Sequence, residues 1–160
     1  MSDVTFRLAE KKDAVVIYEL LLQMARDLEK EKLFAGSFKA IEGSGFSDPP
    51  AFEAIIAWRG DIALGLILYF YEFSTWRGAS GIYVQDIFVD ASARGLGLAN
   101  RLTSAAVKRG SSERGATYMR LAVHNGNDSA FAFYEAMGFE VIDDETMLKL
   151  EGDSFNKHIM

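Results

Sequence analysis

The chain has 160 residues, 49% hydrophobic and 12% aromatic, with only 2 prolines, which supplies one packed core and excludes intrinsic disorder. It has no cysteine, so disulfides, thiolate metal sites and a thiol nucleophile are excluded, and a cytoplasmic location is expected. A formal charge of −6 with both signs interspersed argues against nucleic acid as a partner, and the most apolar run, Ile62–Tyr71, falls short of the roughly 20 residues that span a membrane.

Val4–Leu8 reads as a short first strand. Ile17, Leu20, Leu21, Met24 and Leu28 recur at helical spacing and predict one amphipathic helix from about Glu10 to Lys30. Gly36 interrupts it, Ser37 is placed to cap a short helix through Ile41, and Gly43–Pro50 is rich in turn residues. Phe52–Trp58 and Ile62–Phe73 are strand-like runs joined by Arg59-Gly60-Asp61, a hairpin turn. A loop from Ser74 to Gly81 carries Trp76, and Tyr83–Val89 is the next strand. A helical stretch follows Gly97 to about Glu113, with a turn at Gly115 and a strand at Tyr118–Val123. Asp128–Met137 has helix length and Gly138 is suited to end it. Val141 and Met147–Leu150 read as closing strands. This order predicts a single domain over 1–160: an α/β (mixed α+β) fold whose sheet is mixed and mostly antiparallel, with helices on both faces.

The chemistry concentrates in Asp86-Ile-Phe-Val-Asp-Ala-Ser-Ala-Arg94-Gly-Leu-Gly97-Leu-Ala99. A strand runs into a glycine-containing loop from which a helix starts. Glycines let the backbone approach a ligand, and the first helical turn offers unpaired N–H groups at the positive end of the helix dipole. The residues alone admit two readings, a cradle for phosphate or a tight turn. A nucleotide P-loop would need Lys and then Ser or Thr where Leu98 and Ala99 stand, and a dinucleotide fingerprint would need a small residue where Asn100 stands.

At Arg94-Gly-Leu-Gly-Leu-Ala99 the chain resembles the GNAT N-acetyltransferase superfamily, matching its Gln/Arg-x-x-Gly-x-Gly/Ala signature. Phe133-Tyr-Glu-Ala-Met-Gly-Phe139 resembles the family's F-Y-x-x-x-G-F segment, in the expected order. The resemblance covers essentially the whole chain. It implies a six- to seven-stranded sheet with a splayed central strand pair, opening between the strand near Val89 and the strand near Val123. Acetyl-coenzyme A is the implied acetyl donor. Backbone groups of Ile87, Phe88 and Val89 would pair with its pantetheine arm as an added strand would. Amides of Gly95, Leu96, Gly97, Leu98, Ala99 and Asn100 would hold its diphosphate, Arg94 would add a charge contact or stand in solvent, and Asn127 would bond the pantetheine or cap the next helix. Tyr134 would donate a proton to the leaving thiolate, or simply fill a core.

Gly45-Phe46, Pro50, Tyr69-Phe70, Trp76-Arg77-Gly78 and Gln85–Val89 are similar to the diamine and polyamine branch of the superfamily. That branch usually has Glu-Asp where this chain has Gln85-Asp86. An amide accepts no proton at neutral pH, so Asp86 is left as the carboxylate, facing away from Gln85 unless a bulge intervenes. The implied function is acetyl transfer to a primary amine of a small molecule: a diamine or polyamine, an amino acid, or a related amine. A silent acyl-coenzyme A-binding module and an acetyltransferase acting on protein lysines or amino termini are the alternatives. His124 is a lesser candidate base, no residue spacing resembles a metal site, and the resemblance implies a homodimer.

Overall fold

The structure, a computed structural model, describes residues 3–159 in two compact units, one up to Ala122 and one from Val123 onward. The first unit contains β1 (Thr5–Leu8), α1 (Ala14–Asp27), α2 (Phe38–Gly45), β2 (Glu53–Arg59), β3 (Ile62–Ser74), β4 (Ala79–Val89), α3 (Leu98–Arg114) and β5 (Tyr118–Leu121). The strands lie in sequence order, antiparallel from β1 to β4, with β5 parallel to β4.

Period-two alternation sorts the strands' side chains between two helical layers. Ala54, Ile56, Leu66, Leu68 and Phe88 pack with Ile17, Leu20 and Leu21 of α1 and Ile41 of α2. Ile55, Ala57, Ile67, Tyr69, Ile82 and Val84 pack with Leu102 and Ala106 of α3 on the other face. The helix expected from Glu10 begins as a 3-10 turn, Lys11–Asp13, and ends at Asp27. There Glu29 adopts φ 56°, and the Lys30 N–H donates back to the Ala25 carbonyl. Ser37 caps α2 as expected, its hydroxyl accepting from the Ala40 N–H at 3.1 Å.

The α3 side of the sheet holds a polar network. Glu53 accepts from Tyr69 and Tyr71 hydroxyls at 2.9 and 3.1 Å and from two guanidinium nitrogens of Arg109 at 2.8 and 3.2 Å. Burial alone would push the Glu53 carboxyl up, but these donors outweigh it and hold it below the ordinary carboxylate range. Burial and the nearby Glu53 charge push Tyr71 up to about 12. Glu53→Ala strands a guanidinium and two hydroxyls, so we expect a loss of about 3 kcal/mol, at the lower end for a broken buried pair. Thermal melts should read this as a drop of roughly 6–12 °C. Because the folded carboxyl is depressed, the gap between wild type and variant is full at neutral pH. It closes as acid titrates Glu53 through its folded value.

The second unit contains α4 (Asp128–Ala136) and α5 (Gly152–Asn156). Gly138, at φ 97°, follows the end of α4 as expected. The expected closing strands do not form: neither Val141 nor Met147–Leu150 is in a strand, and among the described residues the sheet has five strands rather than six or seven. Apolar residues make a strand only where a neighbour accepts their backbone bonds, and Met147 and Leu148 instead stand 75% and 85% exposed.

Candidate active site

The sheet splays as the resemblance implies. β5 pairs with β4 only from Gly81↔Tyr118 to Val84↔Leu121, and β4 runs on from Gln85 to Val89 without it. On its other side β4 stays bonded to β3, and the Asp90 N–H donates to the Leu64 carbonyl at 2.8 Å. By the alternation of an antiparallel ladder, Asp86 and Phe88 also bond toward β3, whereas Ile87 and Val89 turn their backbone groups toward the side β5 has left. Of the three residues expected to offer backbone groups, Phe88 is thus used within the sheet.

A register shift lies at the start of the splay: Leu68 is opposite Asp86 while Tyr69 is opposite Val84, so Gln85 has no partner on β3. This is the bulge that brings Asp86 into play. Val84 packs on the α3 side, and Asp86, level with Leu68, faces the α1/α2 side. Gln85 is exposed and Asp86 half-buried. No donor among the described residues reaches the Asp86 carboxylate, and burial raises it above the ordinary carboxylate range. An unpartnered, desolvated carboxylate is a proton acceptor poised nearer to neutrality than a surface aspartate.

The loop beyond β4 is braced on the α1 side. Asp90 accepts from the Ser92 N–H at 2.8 Å and from the Gln23 amide. Arg94 donates to Asp27 at 3.0 Å and to the Val89 carbonyl at 3.2 Å, so its charge is turned to α1 and to the end of β4. Gly95 and Gly97 have φ of 81° and 70°, which favour glycine, and a Cβ at either would meet nothing within 4 Å. No acceptor among the described residues takes the N–H groups of residues 95–100, and α3 starts there with 17 residues of aligned peptide dipoles. Consecutive free amides, open space over the glycines and a helix N-terminus together suit a diphosphate-bearing group.

Within the second unit, Asn127 caps α4, its Oδ1 accepting from the Ala130 N–H at 3.3 Å. Tyr134 lies edge-on between Phe133 and Phe139, at centroid distances of 5.3 and 5.4 Å, and burial raises its hydroxyl. His124 is exposed. Among the described residues no cluster of His, Cys, Asp and Glu is placed to hold a metal, and no helix is long and apolar enough to cross a membrane.

Sequence reasoning did not single out the lane that continues from Asp86 along the same sheet face. Phe70 and Tyr83 stack at 5.0 Å, and Glu72 is gripped by Arg120 at 2.5 and 2.8 Å. The only available signal was the even-numbered run Leu66, Leu68, Phe70, Glu72 on one strand; the partners on β4 and β5 depend on register. A concavity of about 420 Å³ between β1 and α3, lined in part by Phe6, Leu8, Ile55 and Lys108, lies on the α3 side. Of the polar groups described above it contains only Arg109, the partner of Glu53, and nothing from the splay or the glycine loop, so the chemistry is assigned to the splay.

Residues 15–139 match the sequence pattern of the acetyltransferase (GNAT) family. The chain is 28% identical over 146 residues to a thialysine N-epsilon-acetyltransferase of Bos taurus, covering 86% of this chain and 85% of that protein. It is 28% identical over 93 residues to an L-ornithine N5-acetyltransferase of Arabidopsis thaliana, covering 58% of this chain and 40% of that protein. An integron cassette protein from the mobile metagenome of V. cholerae shares the fold at a TM-score of 0.83 and 22% identity, over 98% of this chain and 97% of that one. With the splayed sheet and glycine loop already described, the match over most of its length means that the chain belongs to the acetyltransferase (GNAT) family and is an N-acetyltransferase.

Proposed function

We propose that the protein transfers acetyl from acetyl-coenzyme A to a primary amine of a small molecule. The observation that carries this reading is the pairing of a half-buried, unpartnered Asp86 with a bank of free amides at residues 95–100. The coenzyme, when bound, supplies an acetyl thioester. In this reading the amides of Gly95, Leu96, Gly97, Leu98, Ala99 and Asn100 hold its diphosphate. The outward backbone groups of Ile87 and the Val89 N–H hold its pantetheine arm, the Val89 carbonyl being taken by Arg94. Arg94 acts as a brace through Asp27, and Asn127 combines its capping role with a pantetheine contact.

A primary amine is an ammonium at neutral pH, with a pKa near 10, and must lose a proton before its nitrogen can attack. Asp86 accepts that proton, directly or through water, as the C–N bond forms and the C–S bond breaks. Tyr134 donates to the departing sulfur. Gln85 does not exchange protons; it is the extra residue that aims Asp86. The two curated relatives are named for thialysine at N-epsilon and L-ornithine at N5, which favours an acceptor whose amine ends a short flexible chain. A homodimer belongs to the same reading, since exposed Met147 and Leu148 are apolar surface a second copy would cover.

The test is free-thiol release from acetyl-coenzyme A with a panel of small amines and a lysine-bearing peptide. Release stimulated by the small amines is expected. Coenzyme binding without release on any acceptor would leave a silent binding module instead, and release on the peptide alone would move the activity to proteins.

A further inference from the structure

The lane beyond Asp86 has an order that bears on which amine is accepted. On the α1/α2 face, Leu68 is level with Asp86, Phe70 with Tyr83, and Glu72 with Gly81. β5 sets Arg120 beside Tyr83 and Tyr118 beside Gly81. A Cβ at Gly81 would run into the Tyr118 ring, so that ring closes the far end of the lane. Successive same-face rows of a strand are about 7 Å apart. From the proton acceptor, one row leads to a stacked aromatic pair flanked by a guanidinium 5.3 Å from the Tyr83 ring centroid, and the next row leads to a second carboxylate.

Arg120 meets Glu72 with Nε and Nη2, leaving Nη1 and its two hydrogens without a partner among the described residues. The Glu72 carboxylate retains lone pairs beyond the two that Arg120 uses. The pair is accessible, with side chains 35% exposed for Arg120 and 19% for Glu72. The guanidinium holds the Glu72 carboxyl below the ordinary carboxylate range, and Arg77, 4.3 Å from the centroid of the Tyr118 ring, adds a second positive charge at this end. A lone ammonium at this end would gain from Glu72 and lose to Arg120. A group carrying both signs would gain from each.

We propose that Arg120 and Glu72 form the head-group subsite of the acceptor, Arg120 taking the carboxylate and Glu72 the α-ammonium of an amino acid whose side-chain amine reaches Asp86. This rests on the acceptor reading above and makes that acceptor a lysine-length α-amino acid rather than a diamine. The methylene chain lies on Phe70 and Tyr83. A chain of four methylenes spans roughly one row, the step from Asp86 to the Tyr83 row beside which Arg120 stands. The Glu72 carboxylate is brought to that head group by its bonds to Arg120 at 2.5 and 2.8 Å.

The probes are L-lysine, 1,5-diaminopentane, which lacks the carboxylate, and 6-aminohexanoate, which lacks the α-ammonium. Each is followed by acetylation rate and by calorimetric binding to the coenzyme-bound protein. Wild type should favour L-lysine over the diamine in kcat/KM. Arg120→Gln should reduce that ratio at least about tenfold, as expected for a lost hydrogen bond to a charged group. Glu72→Gln should instead erode the preference of L-lysine over 6-aminohexanoate, which provides a second reading if the Arg120 variant folds poorly. An unchanged ratio in folded variants, or a wild type that prefers the diamine, overturns the proposal even while the acetyltransferase reading stands. L-lysine binding that weakens in both variants, without turnover of any amine, supports the subsite and removes the acceptor chemistry proposed for Asp86.

Discussion

Asp86→Asn should lower turnover of a primary amine roughly 10²–10³-fold while leaving coenzyme affinity near wild type, the range expected when a general base is lost. Its physical basis is the solitude of the carboxylate: half-buried, without a donor, and raised by desolvation. Asparagine keeps the shape and loses the proton acceptor. In wild type, kcat/KM should fall as acid protonates Asp86, at a pH above the ordinary carboxylate range; in the variant that acid limb should vanish. The linkage to folding has the opposite sign. A carboxyl whose folded value is raised binds protons more readily folded than unfolded, so its ionisation lowers stability between the two values and the cost persists at neutral pH. Asp86→Asn should therefore melt at the same temperature as wild type or higher. A variant that keeps its turnover, or loses it only by unfolding, would take Asp86 out of the reaction.

Gly97→Asp should raise the dissociation constant for coenzyme A at least about tenfold, or 1.4 kcal/mol. Aspartate tolerates the left-handed region better than most residues and is a favoured N-cap, so α3 should survive. What changes is the space above the amides, now holding a Cβ and a negative charge where an anion is expected. Gly97→Asn adds nearly the same volume without charge and should lose less. The difference between the two variants should shrink with added salt. Equal affinity in both variants and wild type would mean that the diphosphate lies elsewhere.

Much of the site was legible because its devices are local. Ser37 precedes its helix by one residue, and the glycine loop is contiguous with the helix it opens, so both are visible in a short window. The contacts that were missed are set by register. Glu53 and Arg109 are 56 residues apart, and Glu72 and Arg120 are 48 apart; nothing near either residue names its partner. The bulge at Gln85 was legible only as a condition, because no glycine marks it and one unpaired residue has no composition of its own. The closing strands failed for the reverse reason: Met147, Leu148 and Leu150 have strand composition but lie in a segment with no neighbour to bond. Arg94 was read as a charge contact for the coenzyme or a solvated residue; Asp27, which draws its charge toward α1, is 67 residues away.

The unpaired Gln85 also makes β4 a strand with two phases. Upstream, Ile82 and Val84 are stitched to the α3 core; downstream, Phe88 is stitched to the α1/α2 core. Removing that single residue would restore strict alternation and force one half of the strand to turn inside out, exchanging core for solvent along its whole length. Spacing, more than identity, is what this position has to preserve. Length changes should be tolerated at the exposed Trp76 hairpin and refused here, only nine residues further along.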